Sequence, residues 1–335
     1  MRIAVDAMGG DHAPGRIVDG ALAAARHLGI GVDLVGRSRL IRDELARHDD
    51  AAGLDVRVID ATDVVEMSES PAQALRRKPH ASIRVAAELV ARGDAAALVS
   101  AGHTGATVVA AHAAFGMVPG VDRPALAPSV PTRRGSAVLI DAGATVECRP
   151  SYLLQFGVMG SVYARTWMGV ASPRIGLLSI GEEETKGNEL TREAHRLLKA
   201  SPLRFVGNVE ARDIFSGAAD VIVCDGFTGN VALKMSEGLV EMVEELLGEE
   251  LQSTFSAQVG SLLSRRAFRR FRKRVDYSEY GGAPLMGVAG LCIVGHGRSS
   301  AKALRNAVAM ASRFASSHVL ARVEQEIASA AGSPA

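Results

Sequence analysis

The sequence has little of what several common protein classes are built from. Cysteine is scarce: Cys148, Cys224 and Cys292 form an odd set without CxxC spacing, which argues against a disulfide framework or a zinc ribbon. Aromatic residues make up only 4% of the chain. Net charge is nearly absent, +1 from 38 basic and 37 acidic residues, so no global field draws nucleic acid or a membrane, and such a contact must come from a local patch. No apolar run reaches the roughly 18–20 residues of a membrane span; Thr104–Val118 is shorter and carries His112. The opening MRIAVDAMGG sets an acid within its apolar run and lacks a signal-peptide layout. A cytoplasmic protein without a nucleic-acid partner is expected.

Catalytic signatures are missing too. There is no HExxH, and neither two His nor two Asp stand four apart, so a dedicated metal site is not expected. No glycine-rich start leads into GK[ST], and no GxGxxG is followed by an acid about 20 residues on, so no nucleotide cofactor is expected. GxSxG is absent as well, which excludes a hydrolase nucleophile elbow.

What is present is an alternation. Short apolar runs at Arg2–Asp6, Val32–Gly36, Val56–Ile59, Ala95–Ser100, Ala137–Asp141, Arg174–Ile180 and Asp220–Cys224 read as strands covered on both faces. Between them lie helical patterns at Pro14–Leu28, Ala81–Arg92, Pro150–Met168 and Asn188–Lys199. This order predicts an α/β fold with a mainly parallel, doubly wound sheet in a single domain over 1–335. Abundant Ala, Val, Gly and Leu suit helices packed closely on it.

One stretch departs from the alternation. Residues 249–278 form a predicted amphipathic helical insertion, in which Phe268 and Phe271 belong to an apolar stripe and Arg265, Arg266, Arg269 and Arg270 crowd between. A solvated charged face, a helix lying on anionic lipid and a dock for an acidic protein all fit this pattern. A strand pair at about 283–294 and one long helix over 299–327 are expected to follow.

Four strand ends run into glycine-rich turns that lead towards helices. They are Asp6-Ala-Met-Gly-Gly-Asp-His12, Ser100-Ala-Gly-His-Thr-Gly105, Gly181-Glu-Glu-Glu-Thr-Lys-Gly-Asn-Glu189 and Asp225-Gly-Phe-Thr-Gly-Asn230. In a parallel sheet such turns share the carboxyl edge, where open α/β folds bind ligands. Glycine lets backbone approach a ligand, and the helix start behind it offers free N–H groups, a combination suited to phosphate. His12 and His103 either serve a substrate or cap a helix. The run Glu182–Glu184 reads as a solvated loop, and Lys186 beside Asn188 is the better anion contact. Cys224, at the end of a Val/Ile run, reads as core.

At these turns the sequence resembles a known family. IAVDAMGGDHAP, SPAQALRRK, SAGHTGA, SIGEEETKGNEL, FVGNVEARDIF, CDGFTGNVALK and DYSEYGGAPLMG resemble the phosphate acyltransferases of bacterial phospholipid synthesis, the PlsX family. The resemblance runs in order from Met1 to the helix after Gly297. It implies a Rossmann-like three-layer α/β/α fold of isopropylmalate-dehydrogenase type. It also implies a homodimer with the site near the subunit interface. The implied reaction joins acyl carrier protein thioester and inorganic phosphate to give acyl phosphate, which a membrane glycerol-3-phosphate acyltransferase then uses. His103 stands where the family usually has Asn, and DAGATVEC replaces DLGANVDC.

Phosphate is itself a competent nucleophile, so the residues need only hold it and stabilise an oxyanion. Lys186 and the N–H groups of Gly9, Gly10, Gly229 and Asn230 are suitable donors, with the Asn188 and Asn230 side chains orienting phosphate. Asp6, Asp11, Asp141 and Asp225 fix the turns, while Ser100, Gly102, His103, Thr104, Gly105, Gly226 and Thr228 line them. His12 is a candidate acid for the leaving thiolate. A coenzyme A-dependent phosphate acetyl- or butyryltransferase and a membrane-surface scaffold are the competing readings.

Overall fold

The computed structural model describes residues 1–275 and 281–331; Asp276–Tyr280, the start of the DYSEYGGAPLMG motif and part of the predicted 249–278 insertion, lie outside the described residues. The chain runs β1 (Arg2–Asp6), α1 (Gly15–Leu28), β2 (Gly31–Gly36), α2 (Ser38–Leu45), β3 (Val56–Asp60), α3 (Pro71–Arg77), α4 (Ser82–Ala91), β4 (Ala97–Ser100) and α5 (Thr104–Phe115). It continues with β5 (Ala125–Leu126), β6 (Ser129–Thr132), β7 (Gly135–Ile140), α6 (Pro150–Tyr163), β8 (Ile175–Leu178), α7 (Glu189–Ala200), β9 (Phe205–Val209) and β10 (Val221–Val223). Last come α8 (Gly226–Gln252), α9 (Phe255–Val275), β11 (Ala283–Met286), β12 (Cys292–Val294), α10 (Ala301–Ser316) and α11 (Val319–Ala331).

All seven expected strands form, but in two sheets. The first has the order β3-β2-β1-β4-β12-β11-β5 and the second β6-β7-β10-β8-β9. The expected α/β architecture is therefore present, divided where the chain turns antiparallel. β11 pairs antiparallel with β12 and β5, and β6 pairs antiparallel with β7, while the pairs β1–β2, β1–β4, β4–β12, β7–β10, β8–β10 and β8–β9 are parallel.

Central strands are buried throughout because both faces are covered: β2, β4, β8 and β10 show no exposed position. Asp33 is the charged exception, fully buried in β2 and held by Arg2 at 2.8 Å and Arg57 at 2.7 Å. The scarcity of aromatics fits the helix faces, where α1 buries Ala21, Ala24 and Ala25. Such small side chains bring a helix close to its sheet.

The predicted helix over 299–327 is two helices. His318 adopts a left-handed backbone (φ 53°) between α10 and α11, after two serines whose hydroxyls bond back to the carbonyls of Ser312 and Phe314. Such serine bonds compete with continued helix. Among the described residues, no helix is long and apolar enough to cross a membrane. Helices α8 and α9 pack as a pair whose outer surface carries exposed Met235, Leu239, Leu246, Phe255, Leu262 and Leu263. On α9, Arg265, Arg266, Arg269, Arg270 and Phe271 are exposed and Phe268 is half-buried.

Candidate functional site

The glycine turns lie on two sheet edges rather than one. Turns after β1 and β4 belong to the first sheet, and those after β8 and β10 to the second. Parallel pairing of β1 with β4 brings Asp6 opposite Ser100. The Asp6 carboxylate accepts the Ser100 hydroxyl at 2.8 Å and the Met8 N–H at 3.2 Å, and Ser100 Oγ accepts the Gly102 N–H at 3.1 Å. Burial pushes the Asp6 carboxyl above its ordinary range, against the pull of these bonds. Gly9 fills the space between the two turns. A Cβ there would lie 2.7 Å from both Asp6 Oδ2 and the Gly102 nitrogen, so only glycine allows the apposition.

His103 is the N-cap of α5, its Nδ1 accepting the Ala106 N–H at 3.4 Å. Thr104 and Gly105 form the first turn behind it. Asp11 and His12 are exposed at the rim of the first turn, and Gly10 there adopts a positive φ of 109°.

On the second sheet Asp141 does what was expected of the aspartates. It is fully buried at the end of β7 and accepts N–H groups of Leu126 (2.7 Å), Gly143 (3.0 Å), Ala144 (3.0 Å) and Thr145 (2.6 Å). These bonds shape residues 142–145, and the Thr145 carbonyl then accepts the Gly226 N–H at 2.9 Å. Asp225 caps α8, taking the Thr228 N–H at 2.9 Å and its hydroxyl at 2.7 Å. Gly226 and Gly229 face inward, while Asn230 is exposed beside Gly143.

Burial pushes the Asp141 carboxyl up to about 6, although its four N–H donors oppose this. Because the folded value exceeds the unfolded one, its stabilising contribution is complete below about pH 4 and is lost as pH rises through about 6. Wild type should therefore lose on the order of 3 kcal/mol relative to Asp141→Asn between those pH values, at 1.36 kcal/mol per pKa unit. Denaturant unfolding of both proteins across that range measures it. Curves that stay parallel would rule it out.

The loop 181–188 carries Lys186 and Asn188, both exposed. Asn188 caps α7, its Oδ1 accepting the Thr191 N–H at 2.9 Å, so its amide NH₂ is the group left to meet an anion. The three glutamates are exposed, as a solvated loop requires, and the loop is held at its surface and backbone. Lys199 holds Glu184 at 2.7 Å, Arg212 lies 3.7 Å from Glu182, and Asn208 Nδ2 donates to the Glu183 carbonyl at 2.9 Å. Asn208 is itself held by buried His195 at 2.9 Å. The loop is thus fixed independently of the Lys186 side chain.

Sequence reading missed Asn208 and His195, and also Lys234 and His296. Lys234 lies one turn beyond Asn230 on the same face of α8, with its ammonium 3.0 Å from His296 Nε2. The signal for His296 was present: Gly295-His-Gly-Arg-Ser-Ser300 is a fifth glycine turn after a strand, β12, and Ser300 caps α10.

The thiols are unsuited to nucleophilic work. Burial pushes Cys148 and Cys292 up to about 12 and Cys224 well above its ordinary value. Among the described residues, no group of three or more His, Cys, Asp or Glu is arranged to hold a metal. The site therefore offers amides, the exposed lysines Lys186 and Lys234, short polar side chains and helix starts. That set can hold an anion and stabilise developing negative charge.

Residues 1–322 match the family described as fatty acid synthesis protein. A phosphate acyltransferase of Geobacter sp. (strain M21) is 52% identical over 327 residues, covering 98% of this chain and 93% of that one. That of Acidobacterium capsulatum is 50% identical over 333 residues, 99% of each chain. A branched-chain phosphotransacylase from Enterococcus faecalis V583 shares the fold at a TM-score of 0.58 and 14% identity, over 95% of this chain and 100% of that one. So does a phosphotransacetylase from Streptococcus pyogenes, at 0.56 and 17%, over 98% and 94%.

Proposed function

Because the chain belongs to the phosphate acyltransferase family, we propose that it transfers a long-chain acyl group from acyl carrier protein to inorganic phosphate. A phosphate oxygen attacks the thioester carbonyl, the carbon–sulfur bond breaks, and acyl phosphate and free carrier thiol leave. The observation that carries this reading is the convergence at the α8 start. There the positive dipole end of α8 and the Asn230 amide meet the turn built on Asp141. The N–H groups of Gly226, Thr228 and Gly229 are taken up by the Thr145 carbonyl and by Asp225, so Gly229 is not the anion donor expected of it. The positive end of a helix favours phosphate, and donors aimed at the developing oxyanion supply the rate. Lys186 adds the positive charge from its loop. His12, at the rim, is suited to protonate the departing thiolate.

The product would feed a membrane glycerol-3-phosphate acyltransferase, which places the enzyme in phospholipid synthesis at the cytoplasmic face of the plasma membrane. The exposed arginines and Phe271 of α9 are the proposed contact for the acidic carrier or for anionic lipid. The apolar outer surface of α8 and α9 is consistent with a homodimer. Taken as one domain over 1–335, the protein would carry this helix pair as its protruding part.

The test is release of free carrier thiol from palmitoyl-acyl carrier protein, with and without inorganic phosphate. Phosphate-dependent release, with acyl phosphate trapped by hydroxylamine, is expected. Release only from a short acyl-coenzyme A would assign the coenzyme A-dependent reaction instead. No release from either would leave a scaffold role.

A further inference from the structure

Two side-chain contacts join α8 to the turn that follows β12. His296 Nδ1 accepts the Arg298 N–H at 3.2 Å, so its Nε2 carries the proton and donates to Glu237, and Arg298 pairs with Glu241. The Lys234 ammonium lies 2.7 Å from Glu237 and 3.0 Å from His296 Nε2, His296 Nε2 is 3.4 Å from the same Glu237 oxygen, and Arg298 reaches Glu241 at 2.6 Å. The Glu237 side chain is only 11% exposed. Burial alone would raise its carboxyl, yet hydrogen bonds from His296 and Lys234 hold it below its ordinary value. It is thus a carboxylate shared by two nitrogen groups from different parts of the fold.

The turn it grips does not stand alone. Next to His296, the Gly297 carbonyl accepts the Asp11 N–H at 2.8 Å, and the Gly295 N–H donates to the Ser100 carbonyl at 2.7 Å. A continuous chain of bonds therefore runs from α8 of the second sheet, through Lys234, Glu237 and His296, to both glycine turns of the first. We propose that Lys234, Glu237 and His296 are positioning residues that fix the Gly9–His12 turn relative to Asn230 across the two sheet edges. Asn230 and Lys234 share one helix face, so a shift of α8 would move the anion contact and the latch together. This assignment rests on the proposed acyl transfer for its catalytic consequence, but its structural part stands independently. Misplacing a reacting group by about 1 Å costs on the order of a hundredfold.

The experiment compares Lys234→Met, His296→Ala, their double variant and Lys234→Arg with wild type. It reads phosphate-dependent thiol release and amide hydrogen exchange of the Gly10–His12 segment. Lys234→Met and His296→Ala are each expected to lower kcat ten- to a hundredfold and to speed exchange at Asp11. The double variant should lose no more than the worse single one, and Lys234→Arg should recover most of the activity. Normal exchange and normal kcat in both single variants overturn the proposal. So does a raised phosphate KM confined to Lys234→Met with His296→Ala normal, which would make Lys234 a direct phosphate contact. If wild type shows no phosphate-dependent release while the variants still exchange faster, the acyl-transfer reading fails and the latch stands.

Discussion

Lys186→Ala and Asn230→Ala should each lower turnover by about a hundredfold or more, equivalent to about 2.7 kcal/mol of transition-state stabilisation. The size follows from their place. Both side chains are exposed at the carboxyl edge of the second sheet, where the proposed reaction develops its negative charge. Neither supports the local fold. The Lys186 loop is held by Asn208, Lys199 and Arg212, and the cap of α8 is Asp225, not Asn230. Truncation therefore removes a donor without melting its platform, so thermal unfolding should change little while steady-state thiol release collapses. Lys186→Arg should recover part of the loss by restoring the charge. Near-normal turnover in both alanine variants would remove these residues from the chemistry and leave the helix starts alone to bind the anion.

The parts of the fold legible in the sequence were those set by local pattern. Continuous apolar runs such as IAVD and AVLI mark strands buried on both faces, and every one named in advance forms. Strand β9 escaped because FVGNV is interrupted by Gly207 and Asn208, giving an edge strand with a register shift opposite Ile175 and Gly176. The division into two sheets was illegible for a different reason. Alternation fixes the order of elements along the chain but not which strands pair, and the division depends on the short antiparallel β5 and β6 and on β11.

The same distinction governs the site. Asp225 was read as fixing its turn because caps are local chemistry, and it does so; Gly9, Ser100 and Asn188, proposed to meet phosphate, each also have a local structural task. His103 resolves as an N-cap. Asn208 and Lys234 were not found because each acts on a segment remote in sequence: Asn208 on the Glu183 carbonyl 25 residues away, Lys234 on the Glu237 carboxylate that it shares with His296, 62 residues from Lys234. No periodicity encodes such pairs. The glutamate run is the solvated loop its sequence suggests, all three residues exposed, with surface contacts from Lys199 and Arg212.

Gly229→Ala should be strongly damaging. A Cβ at this position would lie 1.9 Å from the Asp141 carbonyl oxygen and 2.8 Å from Cys224 Sγ. Both neighbours are fixed: the Asp141 N–H donates to the Cys224 carbonyl at 3.0 Å, and the Cys224 N–H to the Ile140 carbonyl at 2.7 Å. Reaching an ordinary 3.4 Å contact requires a retreat of about 1.5 Å (3.4 less 1.9) by the start of α8. That movement carries Asn230 and the positive end of α8 away from the Asp141 turn. Overpacking of this kind costs roughly 1–3 kcal/mol, and the displacement should lower turnover by more than about a hundredfold. Gly238→Ala is the matched control, nine residues along the same helix with open space around its Cβ position. It should keep full activity and gain up to about 1 kcal/mol from helix propensity. Thermal unfolding and thiol release measured on both variants separate the two effects. A stable, active Gly229→Ala would show that α8 does not abut Asp141 this closely and that the anion site is built elsewhere.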